Sequence, residues 1–168
     1  MSQSPATIVQ ADDSHAAEIA RIWNPIIEGS EVTFNSAKKT PEEIAGMIAE
    51  KRRKGVPFLV ACCPTVAGFA TFGQFRSGVG YRRTMEHTII VAPEAQGQSM
   101  GRMLMEGLEA AARAQDVHSM IGAISAANDA GLRFHLALGY VEIARLPSVG
   151  YKFGRHYDLI LVQKLLQA

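Results

Sequence analysis

The stretch from Thr88 to Ala111 constrains this chain more than any other. An apolar run, Thr88-Ile89-Ile90-Val91, meets Ala92-Pro93 and passes through Gln96-Gly97-Gln98-Ser99-Met100-Gly101. It then enters a segment with Met103, Leu104, Leu108 and Ala111 at helical spacing. Strand, glycine-bearing turn and helix follow in direct succession. Such a turn leaves backbone N–H groups unpaired in the first turn of the helix, and these, with the positive end of the helix dipole, favour a phosphate or diphosphate. No Gly-Lys-Ser/Thr follows, as a Walker loop would need, and the GxGxxG spacing of a dinucleotide site is absent. Taken alone, the turn is equally a plain connection.

The rest of the chain alternates in the same way. Thr7 to Val9 reads as a short strand. Ile19, Ile22, Trp23, Ile26 and Ile27 then recur at helical spacing, with Asp13 or Ser14 as N-cap and Pro25 expected to break or kink the helix. Thr40-Pro41-Glu42-Glu43 is a capping box opening a second helix that ends near Gly55. Phe58 to Cys63 and Ala67 to Gly73 predict a hairpin turning at Pro64-Thr65-Val66, and Tyr81 to Val91 one long strand. Downstream come a strand from Ser119 to Ile124, a helix from about Asp129 to Leu138 closed by Gly139, and strands at Tyr140 to Leu146 and Tyr157 to Leu165. Hairpins mixed with helices predict an α/β or α+β protein around one mixed sheet. No repeat or linker marks a boundary, so residues 1–168 are expected to form a single domain.

Composition excludes several function classes. A chain of 168 residues with 48% apolar and 20% charged residues suits a folded domain. Its net charge of +1 leaves no basic footprint for nucleic acid. The first residues lack a basic segment followed by an apolar run, and no apolar stretch reaches the length of a membrane span, so a cytoplasmic protein without membrane contact is expected. Cys62 and Cys63 are adjacent and read as two small residues of a buried strand, without a disulfide or an acyl-enzyme role. The five histidines lack partners at ligand spacing, so no metal is expected. Lys51-Arg52-Arg53-Lys54 reads as a solvated helix end.

Gln96 through Gly101 resembles the pyrophosphate loop of the GNAT N-acetyltransferase superfamily. Gln96 and Gly101 match its pattern, and Ser99 stands where a glycine is usual, where its Cβ would crowd a diphosphate. Asn128, then His135, then Leu138-Gly139-Tyr140, is similar to that family's second block. Phe75-Arg76-Ser77, Tyr81-Arg82, Thr84-Met85-Glu86-His87-Thr88 and Val149-Gly150-Tyr151-Lys152-Phe153-Gly154-Arg155-His156-Tyr157-Asp158 resemble the branch of phosphinothricin and methionine sulfoximine or sulfone acetyltransferases. The similarity runs from Ile22-Trp23-Asn24 to Gln163, with Met85 in place of valine and His156-Tyr157 in place of tryptophan plus an apolar residue.

The resemblance implies a GNAT fold, a mostly antiparallel twisted sheet with helices on both faces, and acetyl-CoA as co-substrate. It implies a homodimer and transfer of acetyl to a small-molecule amine within a ternary complex. Glu86 is the expected base, since an amine is largely protonated at neutral pH, and partial burial would bring its pKa towards neutrality. It shares a strand face with Thr84, Thr88 and Ile90, whereas His87 points the other way and is expected to be structural or to shape the substrate site. The resemblance places His135 near the CoA sulfur, as proton donor to the thiolate, and Asn128 on the pantetheine arm. A backbone N–H among Thr88, Ile89 and Ile90 would stabilise the developing oxyanion, on a strand splayed from its neighbour. Gln96, Gly97, Gln98, Ser99, Met100 and Gly101 would hold the diphosphate. Arg76, Arg82 and Arg155 are candidate carboxylate forks, with Phe34 and Tyr81 as apolar walls and Phe75, Ser77, Met85 and His87 completing the acceptor site.

Two other readings stay open. One keeps the chemistry with a polyamine, aminoglycoside or protein N-terminus as acceptor. The other is an acyl-CoA-binding module without catalysis, motivated by Ser99.

Overall fold

The computed structural model describes residues 6–166. Its elements in chain order are β1 (Thr7–Gln10), α1 (Ala16–Gly29), α2 (Pro41–Arg53), β2 (Phe58–Cys62), β3 (Val66–Gln74), β4 (Thr84–Val91), α3 (Met100–Ala114), β5 (Ser119–Ser125), α4 (Asp129–Ala137), β6 (Val141–Lys152) and β7 (Arg155–Leu165). The strands form one seven-stranded sheet in the order β1-β2-β3-β4-β5-β7-β6. Every pairing is antiparallel except β4 with β5.

Strand alternation sorts the layers. Phe69 of β3 meets Trp23 of α1 with ring centroids 4.8 Å apart and Phe58 of β2 at 5.5 Å, so α1 and α2 cover that face. On the other face, α3 turns Leu104, Met105 and Leu108 onto β1 to β4, and a Cβ on Gly68 would lie 3.2 Å from Leu104. Each fully buried leucine there contributes about 1.5–3 kcal/mol.

Several boundaries differ from expectation. Asp12, not Asp13 or Ser14, is the cap: its carboxylate accepts from the Ser14 N–H and opens a 3-10 turn, and α1 begins only at Ala16. Pro25 does not end α1, which runs on to Gly29. Tyr81 belongs to a 3-10 turn, Val79–Tyr81, and β4 begins at Thr84. Gly78 with φ of 109° and Gly80 in the same stretch favour a turn over a continued strand. Cys63 lies outside β2, and neither cysteine is fully buried. Arg52, Arg53 and Lys54 are exposed as expected, whereas Lys51 is half-buried and its ammonium donates to the Phe72 carbonyl at 2.5 Å. The last two strands are longer than their periodicity suggests and form a hairpin closed by Phe153 and Gly154, both at positive φ.

Candidate active site

The parallel seam between β4 and β5 is short. Thr84 pairs with Ser119, Met85 with Met120 and Glu86 with Ile121, and the strands then diverge although β4 continues to Val91. Two bonds to β3 fix which backbone groups face the gap. Phe75 N–H donates to the Thr84 carbonyl, and Ala92 N–H to the Ala67 carbonyl. In an antiparallel ladder this assigns Thr84, Glu86, Thr88, Ile90 and Ala92 to β3, and leaves the N–H and C=O of Ile89 and Val91 directed into the fork. Of the three residues expected to supply an oxyanion donor, Ile89 is the one with its amide on the open side; Thr88 and Ile90 are turned to β3.

At the mouth of the fork the chain folds into the anion-binding turn. Gly97 has φ of 76° and Ser99 φ of 65°, and α3 starts at Met100 with no side-chain cap. The left-handed conformation at Ser99 is the physical reason a glycine suits this position. By helix geometry the N–H groups of Met100, Gly101 and Arg102 lack intrahelical acceptors and carry the positive end of the α3 dipole. Met100 contributes its amide alone, since its side chain is buried in the core. Gly101 also serves packing: a Cβ there would lie 3.0 Å from the Phe134 ring of α4. Gln98 turns its amide onto the Glu94 carbonyl at 2.9 Å, and Gln96 stays exposed.

Glu86 sits at the last paired position before the divergence and is half-buried. Burial raises its pKa above the ordinary carboxylate range. Among the described residues no ion pair or hydrogen bond engages its carboxylate. Alternation along β4, β5 and β7 sets Glu86, Ile121, Ala123, Leu159, Tyr157 and Arg155 on the same face as α1. Phe34, from the segment joining α1 to α2, stacks on Tyr157 with centroids 5.7 Å apart, and the Arg155 guanidinium lies 4.5 Å from the centre of that same ring.

His87 occupies the opposite face, as alternation requires, and is buried there. It is 7% exposed, and its Nε2 lies 2.8 Å from Nε2 of His135. Its ring lies against Gly122, where a Cβ would come within 2.8 Å of the imidazole Cε1. His135, 5% exposed, places Nδ1 2.7 Å from the Gly131 carbonyl. A carbonyl only accepts, so Nδ1 carries the proton, neutral His135 presents a bare Nε2, and His87 donates to it. Burial pulls the His87 pKa down to about 3, helped by the repulsion that two charged imidazoles would suffer at this distance and opposed by the Ile121 carbonyl; burial lowers His135 also. The expected role of His135 as direct proton donor therefore has no free N–H behind it, because both ring nitrogens are engaged. Asn128 is partly committed as well: its side-chain oxygen caps α4 by accepting from the Gly131 N–H at 2.9 Å.

The β3–β4 connection keeps its arginines in solvent. Arg76 stacks on Phe75, with its guanidinium carbon 5.7 Å from the ring centre, and Arg76, Ser77, Tyr81 and Arg82 are exposed. Gln74 braces this loop by donating to the Arg76 and Gly78 carbonyls. Met85 is half-buried on the His87 face, away from Glu86. Sequence reasoning gave no role to Lys152, Gly150 or Gly122. Glycines interrupting strand patterns were the available signal, since they mark close approach by another group.

Comparison with known proteins decides the family. The model of the acetyltransferase (GNAT) family matches residues 19–140. This chain belongs to the GNAT acetyltransferase family. It is 35% identical over 158 residues to an L-methionine sulfoximine/L-methionine sulfone acetyltransferase of Salmonella typhimurium, covering 94% of this chain and 92% of that one. A phosphinothricin N-acetyltransferase of Alcaligenes faecalis is 32% identical, with coverage of 96% and 82%. The structure of yncA from Salmonella typhimurium with its cofactor acetyl-CoA superposes with a TM-score of 0.93 at 34% identity, covering 98% and 96% of the two chains. The chain is an acetyl-CoA-dependent N-acetyltransferase with the mixed sheet and flanking helices of that fold. The left-handed turn, the uncapped start of α3 and the open edge of β4 fit a diphosphate followed by an amide-bearing arm. Among the described residues no cluster of metal-binding side chains occurs, and no helix is long and apolar enough to cross a membrane.

Proposed function

We propose that this GNAT enzyme acetylates the α-amine of a small amino-acid-like acceptor of the phosphinothricin, methionine sulfoximine or methionine sulfone type. The observation that carries this reading is Glu86, a half-buried carboxylate with a raised pKa at the point where β4 and β5 part. A base whose pKa approaches the working pH takes a proton from an ammonium group most effectively. Glu86 accepts the acceptor's proton, directly or through a water, and leaves the amine lone pair free to attack. The co-substrate supplies an acetyl group activated as a thioester: the new C–N bond replaces its C–S bond, and the second proton lost by the nitrogen goes, through solvent, to the departing thiolate. The Ile89 N–H, directed into the fork, donates to the oxygen on which negative charge develops. The buried His87 and His135 pair is neutral and forms the dry wall behind the reacting atoms.

The acceptor is read on the Glu86 face, where Phe34 and Tyr157 give an apolar wall and Arg155 a fork for a carboxylate. Names of relatives support amino-acid acceptors. The single-domain and cytoplasmic readings of the sequence stand as part of this proposal. So does a homodimer: the edge strand β6 exposes Val141, Ile143, Val149 and Tyr151, apolar side chains that a second copy would cover. Light scattering of the purified chain tests that point.

The decisive experiment is thiol release from acetyl-CoA with a panel of amines. Turnover on methionine sulfone, methionine sulfoximine or phosphinothricin well above that on polyamines, aminoglycosides and peptide N-termini is expected. Preference for one of those others would replace the acceptor, and cofactor binding with no turnover on any amine would leave only a binding module.

A further inference from the structure

Two segments far apart in the sequence, Ile22-Trp23-Asn24 and the end of β6, hold one and the same loop. Asn24 grips Lys39 twice: Nδ2 donates to its carbonyl at 2.9 Å, and Oδ1 accepts from its N–H at 2.9 Å. Lys152, 5% exposed, donates from Nζ to the carbonyls of Ile27 at 2.5 Å, Ser30 at 2.6 Å and Thr33 at 2.8 Å. Three acceptors meet the three protons of one ammonium, at the negative end of α1. A buried cation is a costly way to fill space, and here that cost goes into tying the last turn of α1, at Ile27, to two carbonyls of the irregular segment that follows, Ser30 and Thr33.

Between the two anchors lies Phe34. Its ring rests on the backbone of Gly150, where a Cβ would come within 2.3 Å of it, and against Tyr157. Gly150 pairs with Tyr157, and Lys152 stands two residues further along the same strand, so both point to the α1 face that also carries Glu86.

We propose that Lys152 is a positioning residue for the acceptor: by holding residues 30–34 it fixes Phe34 as a wall of the pocket beside Glu86, and thereby sets which acceptor side chain fits. This rests on the reading that the acceptor enters on the Glu86 face. Gly150 is the matching surface, and any larger residue there pushes the wall inward.

The test uses the full chain with Lys152→Met, Gly150→Ala and Phe34→Leu. In Lys152→Met, hydrogen exchange should rise in residues 30–39 while acetyl-CoA affinity stays unchanged. The acceptor KM should rise about tenfold, far more than kcat falls, matching the loss of one charge-assisted hydrogen-bond set. Lys152→Arg should restore part of the KM. Gly150→Ala and Phe34→Leu should each change the rank order of acceptors. Unchanged exchange in residues 30–39, or a KM and rank order identical to the parent in all variants, overturns the proposal. Should Lys152→Met fail to fold, Phe34→Leu decides alone, since it leaves the clamp intact. If the parent enzyme prefers a different amine class, the acceptor assignment fails by that result, and the clamp is judged by exchange and by KM for the amine actually used.

Discussion

His87 and His135 share a single hydrogen bond, Nε2 to Nε2 at 2.8 Å, that joins the middle strand of the sheet to α4 across the buried interior. The Gly131 carbonyl fixes the tautomer of His135, and His87, which donates from Nε2, keeps an unprotonated Nδ1 that finds no hydrogen-bond donor among the described residues. The pair is built to stay uncharged.

Its effect on stability follows from linkage. Both histidines have folded pKa values below the unfolded value of roughly 6.5. Above that pH neither state binds the extra protons and the full stability is present. As pH falls from about 6.5 towards 3, the unfolded chain takes up protons that the folded one refuses, and stability drops by on the order of 1 kcal/mol per pH unit for each proton. Glu86 acts in the opposite sense, since its raised pKa makes the folded state the better proton binder just above pH 4.5. Urea unfolding at pH 7.5, 6 and 5 should show stability falling with acid, with a steeper fall in Glu86→Gln.

Glu86→Gln should also lower kcat/KM by roughly 10²–10⁴-fold, the usual worth of a positioned base, with acetyl-CoA affinity nearly unchanged. Stopped-flow thiol release together with calorimetric titration of the cofactor separates the two effects. Undiminished turnover would remove Glu86 from the mechanism.

Ser99→Gly should stabilise the protein by roughly 0.5–1 kcal/mol, because a left-handed residue with a Cβ is replaced by one without steric penalty. Ser99→Val should destabilise it by about 1–3 kcal/mol and weaken acetyl-CoA binding, since a β-branched residue resists that conformation. Thermal melts with and without the cofactor measure both.

Gly122→Ala should force the His87 ring away from its seat and break the bond to His135, for a loss of roughly 1–3 kcal/mol. Nitrogen-15 spectra of the imidazoles would report the change in tautomer directly.

The architecture was largely legible in the sequence because it rests on local signals: the capping box at Thr40, the punctuation between Cys62 and Val66, and the strand-turn-helix around Ala92-Pro93. Boundaries slipped where two conformations compete locally. Tyr81 continues an apolar alternation, yet the glycines before it favour a turn, and Pro25 sits in a helix whose burial of Ile19, Ile22, Trp23 and Ile27 outweighs one lost bond. In the site, the place of Glu86 on its face followed from alternation. The union of His87 with His135 did not, because nothing in a sequence reports that residues 48 apart meet. Nothing in the sequence assigns Lys152 a role, since a lysine in a strand reads as solvated until three carbonyls are seen around it.

The brevity of the β4–β5 seam has a mechanical meaning. Among the described residues, three residue pairs join β1 to β4 onto β5 to β7 through the sheet itself, so beyond that corner the two halves are held together by the core and not by strand pairing. A ligand that lays its own amides along the open edge of β4 acts as a borrowed strand, and closing the gap in this way should stiffen both halves at once. Occupancy of the groove is then part of what makes the protein rigid.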